Sequence, residues 1–318
     1  MNHTKILVTG SAGQIGSELV PELSKKFGKN NVVATIPDRS YEGKISNFAL
    51  VEILDVRDKE GISKLVARYD VNVVYHLAGI LSAAGEENPE LAYDVNLQGL
   101  HNILEVSMNR KVARVFWPSS IAVFGPNAPK KNTPQDTSLV PTTIYGVTKV
   151  AGELLCNYYF TKYGLDVRSI RFPGIISSET RPSGGTTDYA VEIFYEALIK
   201  KRYTAFVKKE TVLPMLYMPD CIKSILNLME TDPTQISIRT SYNLGGLCFS
   251  VEDLANEIRK HIPELVLEYK PDFRQRIADS WPMSLDDSAA RLDWGWAPSY
   301  DLTSMTSSMI ERLGKRLT

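Results

Sequence analysis

The sequence predicts an α/β protein: a doubly wound parallel sheet with a smaller C-terminal lobe set over it. Short apolar runs alternate with helical patterns over roughly the first 170 residues, and strands joined by helical crossovers form parallel sheets covered on both faces. A glycine-rich turn follows the first apolar run, where a strand hands over to a helix. The alternation breaks after Pro173, and Thr180–Asp188 is then rich in Gly, Ser and Thr.

Lys5–Thr9 (KILVT) is a first strand, and Ile15, Leu19 and Leu23 beyond the turn share one helix face. Val32–Thr35 is a second strand, and Ala49–Leu54 leads into a third that ends at Asp55. Gly61–Tyr69 is amphipathic, and Asn72–His76 (NVVYH) is a buried strand ending at Leu77, Ala78 and Gly79. Leu91–Arg110 is one long helix, and Arg114–Pro118 is a strand that ends at Ser119 and Ser120. Tyr145–Tyr163 is helical, with Val147, Val150, Ala151, Leu154, Leu155 and Tyr158 on one stripe. Asp166–Phe172 is the last strand of the alternation. Helices follow at Tyr189–Lys200, near Asp220–Thr231 and at Val251–His261, the last capped by Ser250 with Asp253 at the capping-box position. The expected division is a nucleotide-binding domain over 1–173, with a strand and helix around 214–247 returning to it. The lobe over 174–318 then covers the carboxyl ends of the strands, where such sheets bind ligands.

Composition narrows the function. Hydrophobic residues at 43% and charged residues at 23% of 318 are ordinary for a soluble globular chain. A net charge of −1 supplies no basic field for nucleic acid or a membrane surface. No apolar run approaches the ~20 residues a membrane span needs. Cys156, Cys221 and Cys248 lie far apart and read as reduced, mostly buried thiols. His3, His76, His101 and His261 form no His-x-x-x-His pair and adjoin no cysteine pair, so no metal site is expected. The chain enters a strand within four residues, which points to a cytoplasmic protein, or a mitochondrial matrix one if a transit peptide was removed.

The turn VTGSAGQIG places Gly10, Gly13 and Gly16 as a dinucleotide site requires. Gly10 permits the tight exit from the strand, Gly13 lets backbone amides approach a pyrophosphate, and Gly16 lets the helix pack closely on the strand. The helix N-terminus faces the anion, so a Rossmann-type domain is expected. A ribose-binding acid belongs roughly 20 residues further on. Asp38 is the nearest carboxylate, but it follows a proline and sits late; Arg39 beside it could instead meet a 2′-phosphate. These residues favour NAD and leave NADP open. Asp55 suits the adenine edge, or is an ordinary surface aspartate, and Leu77, Ala78 and Gly79 would line the cofactor with backbone.

Tyr145 and Lys149 stand at i and i+4 on one helix face. Free tyrosine titrates near ~10, and lowering it by about three units takes ~4 kcal/mol of preferential phenolate stabilisation. The Lys149 ammonium and a nicotinamide cation could supply that by proximity. Tyr145 would then take a hydroxyl proton as hydride leaves the same carbon. A hydroxyl at the strand end, Ser119 or Ser120, would orient the substrate oxygen.

These residues resemble the extended short-chain dehydrogenase/reductase superfamily, which includes nucleotide-sugar epimerases and dehydratases. The likeness covers the glycine turn, Asp55–Val56, His76–Gly79, Asn96, Ser119–Gly125, Tyr145–Lys149 and Arg171–Gly174. It implies Ser120 as the catalytic hydroxyl with Ser119 its neighbour, and Lys149 on the nicotinamide ribose. It also implies cofactor contacts from Gln14, Ile15, Val56, Asn96, Tyr145, Pro173 and Ile175. Gly79–Ala83, Tyr145–Leu155, Phe172–Ser177, Gly184–Phe194, Leu213–Asp220 and Tyr269–Pro282 are similar, more narrowly, to L-threonine 3-dehydrogenases of the short-chain type. That likeness implies NAD-dependent oxidation of L-threonine to L-2-amino-3-ketobutyrate without zinc. One departure is Ile36, where that family often places an acid directly after the second strand.

An amino-acid substrate needs hydrogen-bond donors for its carboxylate in a small closed pocket. Candidates beside Ser119 and Tyr145 are Ser82, Thr186, Gly184 and Trp281. Ser82 could instead cap its loop, and Thr186 could cap the helix Tyr189–Lys200, as could Asp188. Gly184 and Gly185 let backbone approach closely or move as a lid. Trp281 walls the site or packs between lobes, and Arg274 and Arg276 are surface charges or, in a nucleotide-sugar enzyme, diphosphate ligands. The alternatives are that nucleotide-sugar chemistry and a non-catalytic NAD-binding protein. A homodimer is expected from superfamily habit and the frequency of two-fold oligomers.

Overall fold

The computed structural model describes residues 4–43, 45–182 and 184–317; His3 and Ser183 lie outside them. In chain order the strands are β1 (Ile6–Thr9), β2 (Val32–Ile36), β3 (Leu50–Ile53), β4 (Val73–His76), β5 (Arg114–Ser120), β6 (Asp166–Phe172), β7 (Gly174–Ile176), β8 (Arg202–Ala205), β9 (Val212–Tyr217), β10 (Tyr242–Asn243), β11 (Leu247–Ser250) and β12 (Val266–Tyr269). Seven of them form one parallel sheet in the order β10-β6-β5-β4-β1-β2-β3. The order reverses at β1, between β4 and β2, which puts the crevice of a doubly wound sheet beside the glycine turn. Ile6, Leu7 and Val8 of β1 are fully buried, as a central strand covered on both faces must be.

Helices cover both faces. On one, Leu19, Val20 and Leu23 of α1 (Gly16–Phe27) share a core with the sheet and a later helix centred on Cys221, Ile222 and Ile225. On the other lie α2 (Lys59–Arg68) and the helices that follow it. After α3 (Ser82–Glu87), the long helix expected over Leu91–Arg110 comes as α4 (Pro89–Tyr93), a π-helical turn over Asp94–Gln98, and α5 (Gly99–Asn109). Single π turns inside helices often mark functional sites, and this one carries Asn96. Then comes α6 (Ile144–Tyr163), which buries Cys156 and Tyr159 against Leu100, Ile103 and Trp117.

The smaller lobe collects α7 (Tyr189–Lys200), the three-stranded sheet β11-β9-β7 and the pair β12-β8 around its own core. The later segment is divided between the two bodies. Strand β9 pairs with β7 and β11, because β7 leaves the main sheet just past Pro173 and starts the second one. Helix α8 (Met218–Glu230) and strand β10 lie with the large sheet, β10 beside β6. Helix α9 (Val251–Arg259) starts with the Ser250–Asp253 capping box. Helices α10 (Arg274–Ser280), α11 (Ser288–Trp294) and α12 (Leu302–Leu317) complete the chain. Cys156 and Cys221 are buried free thiols, whereas Cys248 is exposed, against expectation, because it alternates outward on the edge strand β11. No helix among the described residues is long and apolar enough to cross a membrane.

Candidate active site

The glycine turn is shaped by close approach. Gly10 has φ +67°, and a Cβ there would lie 2.6 Å from Ala78 N; a Cβ on Gly16 would lie 2.7 Å from Ser11 Cα. Gly13 is exposed, and no side chain caps the N-terminus of α1. An open cradle of backbone at an uncapped helix N-terminus fits a pyrophosphate. Gln14 Nε2 donates to Ile175 O (3.1 Å), tying the turn to the segment after Pro173. Asn96 brackets Ile80, accepting from its N–H (2.7 Å) and donating to its carbonyl (3.0 Å), which fixes the loop after Leu77, Ala78 and Gly79.

The adenosine end is more open. Asp38 is exposed and caps the short turn Arg39–Tyr41, and hydrogen bonds from Ser40 hold its carboxyl below the usual range. Arg39 pairs with Glu42 (2.9 Å). Asp55 is gripped by the Arg57 guanidinium (2.6 Å), and Val56 O accepts from Asn102 (3.1 Å).

Thr143 caps α6 by accepting from Gly146 N (3.1 Å), which starts the helix one residue before Tyr145 and sets Tyr145 and Lys149 on its inner side. Lys149 is only 6% exposed. Its Nζ donates to Pro118 O (2.6 Å) and sits 4.5 Å from the Trp117 ring centre and 5.4 Å from that of Tyr145. Burial pushes its ammonium down to about 7, against the opposing pull of Cys156 and Glu153. Burial also pushes the Tyr145 phenol up to about 12, while a hydrogen bond with Ser120 pulls it back. The two adjacent serines separate. Ser120 meets the phenol; Ser119, turned to the other side by strand alternation, is buried and donates to Glu153 Oε1 (2.6 Å). Ser119 also lines the cavity at the end of β5, with its hydroxyl proton given to Glu153.

Tyr145, Lys149 and Ser120 open onto a cavity of about 150 Å³ that also reaches Gln14, Ile15, Leu77, Gly79, Pro173 and Ile175. Its other wall holds Ser82, Gly185, Thr186, Thr187, Asp188 and Trp281. Ser82 and Thr186 are both buried, with hydroxyl oxygens 3.0 Å apart, and Ala83 N donates to Gly184 O (3.2 Å). Asp188 precedes α7, yet its carboxylate turns back to accept from Gly184 N (3.0 Å) and Gly185 N (2.8 Å). Thr186 is therefore no helix cap. Trp281 is 5% exposed, and its carbonyl accepts from Lys130 Nζ (3.1 Å). Arg274 pairs with Asp272 (2.6 Å) and stacks on Phe206; neither it nor Arg276 lines the cavity. Pro118, Ser119 and Gly174 also line it, as do Leu81, Ile121 and Phe172, which were not foreseen although each adjoins a residue or segment that was. Two larger surface grooves, about 670 and 830 Å³, contain neither Tyr145 nor Lys149. Among the described residues no group of three or more His, Cys, Asp or Glu could hold a metal ion.

Residues 6–245 match the NAD-dependent epimerase/dehydratase family. The chain belongs to that family. An uncharacterized epimerase/dehydratase of Staphylococcus haemolyticus is 47% identical to it over 313 residues, 98% of each chain. The L-threonine dehydrogenase of Clostridium difficile superposes with a TM-score of 0.95 at 47% identity, covering 98% of both chains. That of Phytophthora infestans gives 0.94 at 45% identity, covering 98% of this chain and all of the other. UDP-glucose 4-epimerase of Thermotoga maritima shares the fold, at 0.87 and 22% identity over 99% of this chain and all of the other. As a member of this epimerase/dehydratase family, the protein is an NAD-dependent oxidoreductase with NAD as its cofactor.

Proposed function

We propose that this enzyme oxidises the secondary alcohol of L-threonine to L-2-amino-3-ketobutyrate. The observation that carries this reading is the small cavity in which Ser82 and Thr186 share walls with Tyr145, Lys149 and Ser120 under Trp281. Its substrate side offers small hydroxyls and backbone, which suit an amino acid. A nucleotide sugar would need cationic diphosphate ligands, and no arginine lines this cavity. Solved relatives at 45–47% identity are L-threonine dehydrogenases.

In this reading Ser120 holds the substrate hydroxyl and Tyr145 takes its proton as general base. The Lys149 cation favours the phenolate. Ser82, Thr186 and the Gly184 backbone receive the amino-acid end, and Trp281 closes the pocket. Bound NAD would supply the hydride acceptor for the β-carbon. Gly10, Gly13, Gly16, Gln14 and Ile15 would hold its pyrophosphate side, Asp38, Asp55 and Val56 its adenosine. Leu77, Ala78, Gly79, Asn96, Lys149, Pro173 and Ile175 would hold its nicotinamide half. Engagement of Arg39 by Glu42 supports NAD over NADP.

We also propose a cytoplasmic homodimer joined through α6, whose Val147, Leu154 and Tyr158 are 49%, 60% and 45% exposed. One solved relative is described as monomeric.

The test is NADH formation with L-threonine against L-serine, L-allo-threonine and UDP-galactose, with NADP in parallel. Turnover confined to L-threonine and NAD is expected; none with threonine sinks the substrate assignment.

A further inference from the structure

The connector from β5 to α6 leaves the sheet at Ser120 and returns at Thr143, which caps the helix of Tyr145 and Lys149. Between those ends it runs along the segment that follows α10. Met283 N and Ser284 N both donate to Lys130 O (2.7 and 3.2 Å), Thr133 N donates to Ser284 O (2.9 Å), and Asp286 N donates to Thr133 O (3.0 Å). Gln135 fastens the connector to the large sheet beside β10, donating to Ser241 O (2.8 Å) and accepting from Asn243 N (2.8 Å).

The backbone bonds begin at Met283 and stop short of Trp281. Helix α10 ends at Ser280 because Pro282 follows. The residue before a proline is driven out of the helical region, and Trp281 is extended at φ −92° and ψ 160°. Proline also brings no N–H, and the last carbonyls of a helix need donors from outside it. Lys130 supplies them. Its Nζ donates to Asp279 O (2.7 Å) and to Trp281 O (3.1 Å). The other end of α10 is held separately by Gln275, whose Oε1 accepts from Lys208 N (2.7 Å).

Trp281 is 5% exposed and lines the cavity with Ser120 and Tyr145, whereas Lys130 lines no part of it. We infer that Lys130 is a positioning residue for substrate binding: by holding the carbonyls on either side of Ser280, it fixes Trp281 as a wall of the cavity. The inference rests on the amino-acid pocket proposed above. Attachment of the connector does not require the ammonium, since the bonds of Lys130 O, Thr133 and Gln135 are made without it. What the ammonium adds is a donor at Trp281 itself.

Lys130→Met keeps an unbranched apolar stem and removes the donor, and Lys130→Arg restores one. In the full chain saturated with NAD, Lys130→Met is expected to raise KM for L-threonine about tenfold and keep kcat within about threefold, the pattern of lost binding. Lys130→Arg should return KM close to the wild-type value. A second readout needs no substrate. Acrylamide quenching of Trp281, taken as the difference from the same chain carrying Trp281→Phe, should rise about twofold in Lys130→Met as the segment opens locally. It should stay at the wild-type level in Lys130→Arg. A folded Lys130→Met in which neither KM nor the quenching moves, even with a lowered Tm, overturns the inference and leaves Lys130 a fastening of the connector. A Trp281 that opens in an enzyme inactive on threonine upholds it and sinks only the substrate reading.

Discussion

At Tyr145 burial works against the proposed use of the phenol as a general base. The side chain is held near 12 by its apolar surroundings, and only the Ser120 hydrogen bond pulls it down. The base form is therefore scarce at neutral pH and grows as pH rises. Oxidation is expected to accelerate from neutral into alkaline solution as the phenolate fraction grows, a rise that is limited because Lys149, at about 7, loses its cation over the same range. Tyr145→Phe removes the proton acceptor and keeps the ring. Activity should fall by about 10²–10⁴-fold, the usual worth of a positioned acid–base group, while NADH still binds in a fluorescence titration. A variant within a few-fold of wild type would show that another group takes the proton. The Tyr-x-x-x-Lys pair was legible because i and i+4 share a helix face whatever the helix packs against. Which of Ser119 and Ser120 faces Tyr145 was not: adjacent strand residues point oppositely, and only the packed sheet decides which side is the site.

At the scale of the element, α6 joins a legible helix to an illegible orientation. Its apolar residues Val147, Leu154 and Tyr158 turn outward, while Gly146, Thr148, Lys149, Gly152, Glu153 and Cys156 turn in. Hydrophobic periodicity assigns the richer stripe to a core, but here the inner face must carry Lys149, Glu153 and a close approach to Trp117. Gly152 makes that approach possible: a Cβ there would lie 2.6 Å from Trp117 Cζ2 and 3.0 Å from Leu100 Cδ2. Alanine brings about 1 kcal/mol of helix propensity. Overpacking costs typically about 1–3 kcal/mol and here displaces the ring beneath the Lys149 ammonium. Gly152→Ala should therefore lower the Tm and kcat together; a raised Tm with kcat intact would mean the indole moves aside freely. The π turn at Asn96 left no sequence signal either, since the apolar pattern of Leu91–Arg110 continues through it.

Across the whole molecule, the alternation of strands and helices was enough to expect a parallel doubly wound sheet, because short apolar strands with helical crossovers have few other solutions. The partners of β9 were not legible, since a short apolar strand is equally at home in either sheet. The long loop after Ser120 was also unread. It straps the lobes through Lys130 to the Asp279 and Trp281 carbonyls and through Thr133 to Ser284. The proposed assembly brings these scales together on one helix. The inner side of α6 carries Tyr145 and Lys149, and its outer side leaves Leu154 60% exposed among Val147 and Tyr158, with the half-buried Val150, Ala151 and Leu155 beside them. A contiguous apolar stripe is costly to leave in water and marks an interaction surface. Two-fold pairing would lay one copy of α6 against another, so that each stripe covers its twin. Sedimentation equilibrium of the wild type should give twice the chain mass, and Leu154→Glu, which sets like charges across the axis, should give the monomer with its circular dichroism unchanged. Since the same helix carries Tyr145 and Lys149, the monomer should also unfold at lower temperature and lose part of its kcat. A wild type that sediments as a single chain at micromolar concentration would leave the stripe needing another partner.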